Sequence, residues 1–309
     1  MKIIRAEHLG MCFGVKDAIG LAFKTAESQP LTVLGELVHN ETVLAALRAR
    51  GIAIQSDLTR IQTATAMVTA HGASQQTLDR AESLGLRLVE ATCPLVRVAH
   101  RAVARLVRDG YHPVIIGQRG HVEVRGLTDD LEEFDVVLSE PEIAALRPRA
   151  KFGVAAQTTQ PIERVSGLVR RLERQFPESE VRFVDTVCQP TKQRQTAAVE
   201  LAKQCDVVVV VGGRNSNNTR ELVATCARFC PRVFHVQGPE EIETAWFAEG
   251  ELVGLTAGTS TPDETIDAVE RQLARAAHSA EEPFHSSTVC FGSSEALVTS
   301  AGERSSCLP

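Results

Sequence analysis

Short apolar runs alternate with amphipathic stretches along most of the chain. Runs of about four to eight apolar residues predict buried strands, and apolar positions three or four residues apart predict helices. This alternation predicts parallel α/β units with helices on both faces of the sheets. The predicted strands are 2–5, 31–35, 66–70, 86–89, 112–117, 135–138, 152–156, 181–184, 206–213, 232–236 and 251–256. The predicted helices are 15–27, 41–49, 75–83, 95–108, 141–146, 162–175, 191–204, 220–229, 239–248 and 264–277.

Three cysteines each follow a predicted strand and precede a predicted helix. Cys93 lies in EATCP (90–94) and Cys188 in DTVCQP (185–190), so an acidic residue, a threonine, a cysteine and a proline recur in the same order. Cys12 follows the first strand in a glycine-flanked loop, GMCFG (10–14). In open α/β sheets ligands collect at the carboxyl ends of the strands. Three such turns therefore predict one shared site.

The spacing of these cysteines divides the chain into three lobes of similar size. We predict a first α/β lobe at 13–93, a second at 94–188, and a third that combines 1–12 with 189–280. Residues 281–309 are rich in serine and poor in apolar runs, so they are predicted to be a C-terminal tail. We expect deletion of residues 282–309 to leave cofactor content and turnover near those of the full chain.

The composition of the chain mainly excludes classes of binding partner. The 309 residues are 43% hydrophobic and 23% charged, which is ordinary for a globular protein, and their net charge is −6. An acidic chain is poorly matched to nucleic acid or to an anionic membrane surface. No apolar run reaches the roughly 18 residues of a membrane span, and the first residues lack a signal-peptide core. We therefore expect a cytoplasmic protein with neither a nucleic-acid nor a membrane partner.

The three cysteines on matching turns predict a metal centre rather than ordinary buried thiols. Three thiolates leave one coordination position open, which is typical of a reactive site. A [4Fe–4S] cluster on three cysteines would leave one iron free to act as a Lewis acid. The alternative, three unrelated buried thiols, is common for single cysteines. The remaining cysteines lack such a context and are interpreted as structural: Cys205, Cys226, Cys230, Cys290 and Cys307.

Histidines and small polar residues recur at strand ends and helix starts, where backbone amides are free to bind anions. Helix N-termini combine these amides with the positive end of the helix dipole. A histidine beside a glycine is usually only a turn residue, but the set together predicts an anion-binding cradle. Its members are His39, His71, His121, Ser216, Asn218 and Ser260. The glycine pair at 212–213 lacks the G-x-G-x-x-G pattern of a dinucleotide site.

These residues lie in motifs that resemble the 4-hydroxy-3-methylbut-2-enyl diphosphate reductase family, whose members catalyse the last step of the methylerythritol phosphate route to isoprenoids. The resemblance covers about residues 1–278. It is carried, in family order, by MCFGV, GELVHN, AHGAS, ATCP, GHVEV, AAQTTQ, DTVC, GGRNSNNT and TAGTSTPD.

The resemblance implies three α/β lobes in a pseudo-threefold arrangement around a [4Fe–4S] cluster on Cys12, Cys93 and Cys188. It implies a reaction in which two electrons and two protons remove a hydroxyl group from the allylic diphosphate substrate, giving isopentenyl and dimethylallyl diphosphates. It implies an external electron donor of the ferredoxin or flavodoxin type. Glu123 would relay protons and Thr158 would orient the substrate hydroxyl. The diphosphate would be held by His39, His71, His121, Ser216, Asn217, Asn218 and Ser260.

The chain departs from the family pattern in a few places. Asn217 stands where the family usually has serine, and its amide still offers hydrogen-bond donors to phosphate. Val122 replaces a common proline, Arg125 and Leu127 are also atypical, and the segment 189–191 looks like a subgroup variant.

Two other functions compete with the reductase. A redox or oxygen sensor would need the three cysteines but neither Glu123 nor Thr158, so the presence of both residues counts against it. A cysteine hydrolase of phosphate esters would use Cys93 and leave the other two turns unexplained. A brown colour in anaerobically purified protein would exclude the hydrolase.

Overall fold

The computed structural model describes residues 1–279, and within them every strand belongs to one of three parallel four-stranded sheets. The expected α/β fold with three similar lobes is confirmed. The chain opens with β1 (Lys2–Arg5), which belongs to the third sheet. The predicted tail and two of the cysteines assigned to it, Cys290 and Cys307, lie outside the described residues.

The first lobe has the strand order β3-β2-β4-β5. Its strands are β2 (Leu31–Val33), β3 (Ala53–Ile54), β4 (Thr65–Val68) and β5 (Arg87–Glu90). Its helices are α1 (Phe13–Ala26), α2 (Glu41–Ala49) and α3 (Gln75–Ser83). Apolar residues of α1 and α2, such as Ala22 and Leu47, pack with Leu31, Val33 and Met67 of the sheet in one core.

The second lobe repeats this arrangement with the strand order β7-β6-β8-β9. Its strands are β6 (His112–Ile116), β7 (Asp135–Val137), β8 (Lys151–Ala156) and β9 (Glu180–Phe183). Its helices are α4 (Pro94–Arg108), α5 (Val122–Thr128), α6 (Glu140–Ala144) and α7 (Ile162–Gln175). Separate apolar clusters cover the two faces of this sheet, as the uninterrupted apolar strands predict.

The third lobe has the strand order β1-β12-β10-β11. Its other strands are β10 (Val207–Val211), β11 (Val233–Val236) and β12 (Leu252–Ala257). Its helices are α8 (Gln189–Gln204), α9 (Asn217–Cys226) and α10 (Asp263–Ser279). Valines of β10 alternate between the two cores of the lobe, Val208 on one face and Val209 on the other.

The predicted helix at 239–248 is wrong. The structure has only two short 3₁₀ turns there, Pro239–Glu241 and Thr244–Trp246. Ile242 and Trp246 pack into the core of the third lobe, and the Arg232 guanidinium donates to the Trp246 carbonyl. Core packing and the Arg232 side chain thus replace the backbone hydrogen bonds that a helix would have formed here.

Two elements were not expected from the sequence. Strand β3 is only two residues long, which is too short for an alternating pattern to be visible. Helix α5 contains Gly126 and the β-branched Val122 and Val124, so its helix propensity is weak. The burial of Val124 and Leu127 against the second lobe holds α5 in place. Across residues 1–279, no helix is both long enough and apolar enough to cross a lipid bilayer.

Candidate active site

The three predicted cluster cysteines occupy equivalent positions in the fold. Cys12, Cys93 and Cys188 are the N-cap residues of α1, α4 and α8. None of the three thiols caps its own helix with a side-chain hydrogen bond, and all three are free and partly exposed. The Cys188 thiol lies 3.1 Å from the Thr191 hydroxyl, and none of the three thiols forms a disulfide, so all three can bind a ligand.

The backbone of each cysteine is fixed to a neighbouring turn in the same way. Each cysteine N–H donates to the carbonyl of a residue that follows an adjacent strand. The pairs are Cys12 to Thr259 at 3.1 Å, Cys93 to Ala70 at 3.0 Å and Cys188 to Thr158 at 3.0 Å. These acceptors either are predicted site residues or directly precede them, since His71 follows Ala70 and Ser260 follows Thr259. The fold thus ties each thiol to a turn of the candidate binding cradle.

The thiols lie close enough to influence one another. A Cβ atom added to Gly14, two residues after Cys12, would lie 2.4 Å from Cys93 Sγ, so the start of α1 packs directly on that thiol. Burial raises the pKa of Cys93 and raises that of Cys188 to about 11, with smaller contributions from Cys12 and Glu123. Since the thiolate is the metal ligand, loading a metal centre here must release protons.

The three thiols could serve as ligands of an iron–sulfur cluster. Among residues 1–279, no three His, Cys, Asp or Glu side chains converge closely enough to share one metal ion. In a [4Fe–4S] cluster each thiolate binds a different iron, so the ligands are spaced around the cluster. One thiol from each of three symmetric turns could hold such a cluster and leave its fourth iron without a protein ligand.

A buried arginine joins two of the cysteine turns. Arg194 of α8 is 7% exposed, and its Nε and Nη2 atoms donate to the Gly10 carbonyl at 2.9 and 2.6 Å. Its Nη1 atom donates to the Pro190 carbonyl at 3.0 Å. Burial lowers the pKa of Arg194, whereas the nearby Cys12 and Cys188 oppose that change. Arg194 thus places a positive charge beside two thiols and fixes the loops that carry them.

The three predicted histidines form one group. The His39 ring centroid lies 4.5 Å from that of His71 and 5.2 Å from that of His121, and the last two are 5.7 Å apart. Burial, then repulsion from the neighbouring histidines, lowers the pKa of His71 well below its usual value. Burial lowers the pKa of His121 to about 4, and repulsion from His39 and Arg220 contributes to the same decrease.

Several buried polar atoms around these rings have no hydrogen-bond partner. They are His39 Nε2, His71 Nδ1 and Asn218 Nδ2. Buried polar atoms in native proteins almost always have a partner, so unpaired atoms at one place indicate a missing polar ligand. An anion with several oxygen atoms would satisfy them.

Glu36 and Glu123 set the proton positions on two of the rings. Glu36 Oε2 lies 2.7 Å from His39 Nδ1, so this nitrogen donates to the carboxylate. The other ring nitrogen of His39, Nε2, is one of the buried atoms without a partner. The His121 Nδ1 atom accepts from the Glu123 backbone N–H at 3.1 Å, so the neutral His121 ring carries its proton on Nε2.

The start of α9 and the turn after β12 bring the predicted polar residues of the third lobe to this group. Ser216, Asn218 and Ser260 are all at most 5% exposed. Asn218 Oδ1 accepts from the Thr259 backbone N–H at 3.0 Å, and Ser260 Oγ lies 3.4 Å from the His39 carbonyl oxygen. A Cβ atom on Gly213 would lie 2.4 Å from the same carbonyl oxygen, so the first and third lobes touch at His39.

Asn217 has a different environment from its neighbours. Its Nδ2 atom donates to Thr159 Oγ1 at 3.1 Å, and the side chain is buried. This bond joins α9 of the third lobe to the turn after β8 in the second lobe. Asn217 thus lies at the site, with one amide donor already used between lobes.

Glu123 is the only carboxyl group among the buried residues of the described chain, at 2% exposure. Its Oε1 atom accepts from the Thr158 backbone N–H at 2.6 Å, and its Oε2 atom accepts from the Thr158 hydroxyl at 3.1 Å. Burial raises the pKa of Glu123 to about 7, although both hydrogen bonds from Thr158 act to lower it. Near neutral pH this group can therefore hold and release a proton.

The structure brings the predicted site residues to strand-end turns and helix starts that contact one another. The residues missed by the sequence analysis are Glu36, Thr159 and Arg194. Glu36 lies within the quoted GELVHN motif, three residues before His39, which was a usable signal. Arg194 lies in the buried stripe of α8, three residues after Thr191 and four before Ala198, where a charge is unusual.

The model of the LytB protein family matches residues 3–274. The chain belongs to the LytB family. A LytB relative from Geobacter sulfurreducens is 39% identical over 275 residues, which are 88% of this chain and 97% of the relative. A relative from Trichlorobacter lovleyi is 38% identical over 275 residues, 88% of this chain and 98% of the relative. Both are described as 4-hydroxy-3-methylbut-2-enyl diphosphate reductase.

Solved structures agree with the LytB assignment. The E-1-hydroxy-2-methyl-but-2-enyl-4-diphosphate reductase of Plasmodium falciparum superposes with a TM-score of 0.83 at 26% identity, covering 88% of each chain. A second structure, described as the terminal enzyme of the non-mevalonate pathway, has a TM-score of 0.65 at 32% identity. It covers 89% of this chain and 99% of the second chain. The family resemblance noted in the sequence is thereby confirmed.

Proposed function

We propose that this chain catalyses the reductive dehydroxylation of 4-hydroxy-3-methylbut-2-enyl diphosphate. Two electrons and two protons enter, the C–O bond breaks, and water leaves as isopentenyl or dimethylallyl diphosphate forms. The observation that carries the proposal is the meeting of three free thiols, a buried carboxyl group with a raised pKa, and unpaired donors around three histidines. The names of the LytB relatives support the same reaction.

We assign the metal ligands to Cys12, Cys93 and Cys188. A [4Fe–4S] cluster bound there would supply electrons and a Lewis-acidic iron, neither of which a side chain provides. We propose that the domain boundaries follow these cysteines, at 13–93, 94–188, and 1–12 with 189–280.

The remaining residues would bind the substrate and move protons. The diphosphate carries several negative charges, and His39 in its imidazolium form, paired with Glu36, would supply a positive one. Neutral His71 and His121 would donate single hydrogen bonds, as would Ser216, Asn217, Asn218 and Ser260. These contacts would place the allylic end of the substrate toward the thiols.

Glu123 would be the general acid, and Thr158 would orient the substrate hydroxyl. The Thr158 side chain already contacts Glu123 at 3.1 Å, so a substrate hydroxyl that binds to Thr158 Oγ1 lies within reach of the same carboxyl group. A carboxyl with a pKa of about 7 is protonated often enough at neutral pH to donate to the departing oxygen.

We further propose that electrons come from an external donor of the ferredoxin or flavodoxin type, and that the reaction takes place in the cytoplasm. A reducing compartment keeps the three ligand thiols unpaired before a cluster is loaded.

One anaerobic experiment tests the function and the ligands together. Iron-reconstituted protein, assayed with reduced methyl viologen and the hydroxylated diphosphate, should release both C5 diphosphates. Serine at Cys12, Cys93 or Cys188 should abolish turnover and remove the spectroscopic signature of the cluster, because serine is a harder and less acidic ligand. Cys226→Ser is the matched control, because Cys226 is fully buried in the core of the third lobe. Iron content that survives loss of any of the three ligands would refute the assignment.

A further inference from the structure

One helix of this acidic chain is strongly basic. Helix α4 contains four arginines in its 15 residues and no aspartate or glutamate, whereas the whole chain has a net charge of −6. Its buried residues are Val96, Ala99, Val103 and Leu106. The arginines lie on the opposite, exposed face at Arg97, Arg101, Arg105 and Arg108. We call these four residues the arginine stripe.

A groove of about 610 Å³ runs beside the arginine stripe. Arg101 and Arg105 form one wall, and Arg182 of β9 lies on the other. The one carboxylate in the groove, Asp109, lies 3.8 Å from Arg105 and 3.1 Å from Arg182. Within the described residues, Arg101 has no ion-pair partner. The groove therefore has a net positive charge.

Apolar side chains are exposed beside this basic surface. Val98, which also lines the groove, is 44% exposed, and Phe13 is 48% exposed. Phe13 directly follows Cys12, and its neighbour Gly14 packs on Cys93, from which α4 begins. A basic surface with exposed apolar groups at its centre is the usual form of a docking site for an acidic protein.

The arginine stripe begins next to the thiols. The rise of an α-helix is 1.5 Å per residue, so Arg97 lies about 6 Å and Arg101 about 12 Å beyond Cys93 along the axis of α4. The opposite wall of the groove ends at Val184, four residues before Cys188. A protein seated on this surface would thus lie against the elements that lead to two of the three cysteines.

We propose that the arginine stripe, with Val98 and Phe13, is the surface on which an acidic electron-transfer protein docks. This inference rests on the proposed function, which requires two electrons from outside the chain. The donor loses one electron per encounter and is itself oxidised, so two encounters supply one turnover. The net charge of −6 repels an acidic partner from the rest of the molecule, so the stripe also orients the approach.

The test compares two matched double variants of the iron-loaded protein. Arg97→Gln/Arg101→Gln neutralises two stripe residues, and Arg170→Gln/Arg174→Gln neutralises two exposed arginines with the same spacing on α7. Both changes take the net charge from −6 to −8, and glutamine preserves helix propensity. The donor is a reduced, acidic plant-type ferredoxin at low ionic strength, and reduced methyl viologen serves as a donor that needs no docking.

We expect kcat/KM for ferredoxin to fall by about tenfold in the α4 variant and to change little in the α7 variant. Added salt should reduce this difference, because it screens the charges. Turnover with viologen should be the same in both variants and in the unmodified protein. Absence of viologen turnover in the unmodified protein would refute the proposed function. The docking surface would still be tested by calorimetric binding of oxidised ferredoxin, in which only the α4 variant should lose affinity.

Three results would overturn the docking surface. Equal losses in the α4 and α7 variants would mean that only net charge matters. No loss in either variant would mean that the stripe does not bind the donor. Loss of binding to phosphatidylserine vesicles or duplex DNA in the α4 variant, with ferredoxin affinity and turnover unchanged, would assign the stripe to lipid or nucleic-acid phosphates instead.

Discussion

Burial and hydrogen bonding act on Glu123 in opposite directions. Two donors of Thr158 stabilise the carboxylate, yet the cost of removing the charge from water is larger and raises the pKa to about 7. The resemblance implied a proton relay at this position. The structure adds a physical reason why this carboxyl group is partly protonated near neutral pH.

Replacement of Glu123 by glutamine should separate proton donation from binding. Glutamine keeps the shape and still accepts from Thr158, but it cannot donate an acidic proton. We expect Glu123→Gln to keep the iron content and to slow turnover by ~10²-fold or more, the usual effect of losing a general acid. Anaerobic steady-state rates, beside EPR or Mössbauer spectra with substrate, measure both properties. Near-normal turnover would show that Glu123 is not the general acid.

Arg194 should be important for the cysteine turns although it is not a predicted ligand. Arg194→Met would leave the Gly10 and Pro190 carbonyls without their side-chain donors and would remove a positive charge beside two thiols. We expect a loss of at least about 2 kcal/mol in the free energy of unfolding, with less iron bound per chain. Arg174→Met, at an exposed position, is the control for thermal melting and iron analysis. Equal behaviour of the two variants would contradict this role.

At the scale of elements, the starts of α1, α4 and α8 determine where the three cysteines of the site lie. All three helices begin at a cysteine whose N–H is bound to a neighbouring turn, so the thiols are placed by backbone contacts.

The contact between α1 and Cys93 can be tested with two glycines of the same helix. In Gly14→Ala the added methyl group would lie 2.4 Å from Cys93 Sγ, so the start of α1 must move. We expect a cost of about 1–3 kcal/mol from this overpacking, together with reduced iron content. Gly20→Ala meets nothing within 4 Å and should stabilise α1 by up to about 1 kcal/mol. Thermal midpoints and iron content that are the same for both variants would contradict the packing described here.

At the scale of the whole molecule, burial of Glu123 links folding to pH. The pKa of Glu123 is about 7 in the folded chain and near 4.5 when exposed. Below pH 4.5 the group is neutral in both states. Between pH 4.5 and 7 the folded state binds more protons, so stability falls as pH rises, by about 3 kcal/mol in total.

The linkage can be measured by denaturant unfolding of the iron-free protein. The unfolding free energy of the unmodified chain is compared with that of Glu123→Gln at each pH. Relative to Glu123→Gln, the unmodified chain should lose about 3 kcal/mol between pH 4.5 and 7, because glutamine does not titrate. The histidines of the site are present in both proteins, so their effects cancel in the difference. A difference in unfolding free energy that is independent of pH would mean that Glu123 is not held in a dry environment.

The sequence by itself determined most of the elements and the identity of most of the reactive groups. Strands such as β10 and helices such as α4 follow from local periodicity, because the spacing of apolar residues selects one backbone repeat. The three cysteine turns and the three histidines were also visible, since strand ends and helix starts in an α/β chain are local features. The family resemblance then led to Glu123 and Thr158, which composition and spacing alone did not single out.

Only the tertiary structure decided which distant groups meet. Arg194 donates to Gly10, 184 residues away, and Asn217 to Thr159, 58 residues away. The failed helix at 239–248 has the same origin, since the Arg232 side chain and core packing replaced its local hydrogen bonds. Local patterns encode a repeat along the chain but contain no information about partners that are distant in the sequence. The pKa of Glu123 is one example, because it depends on burial and on Thr158, 35 residues away.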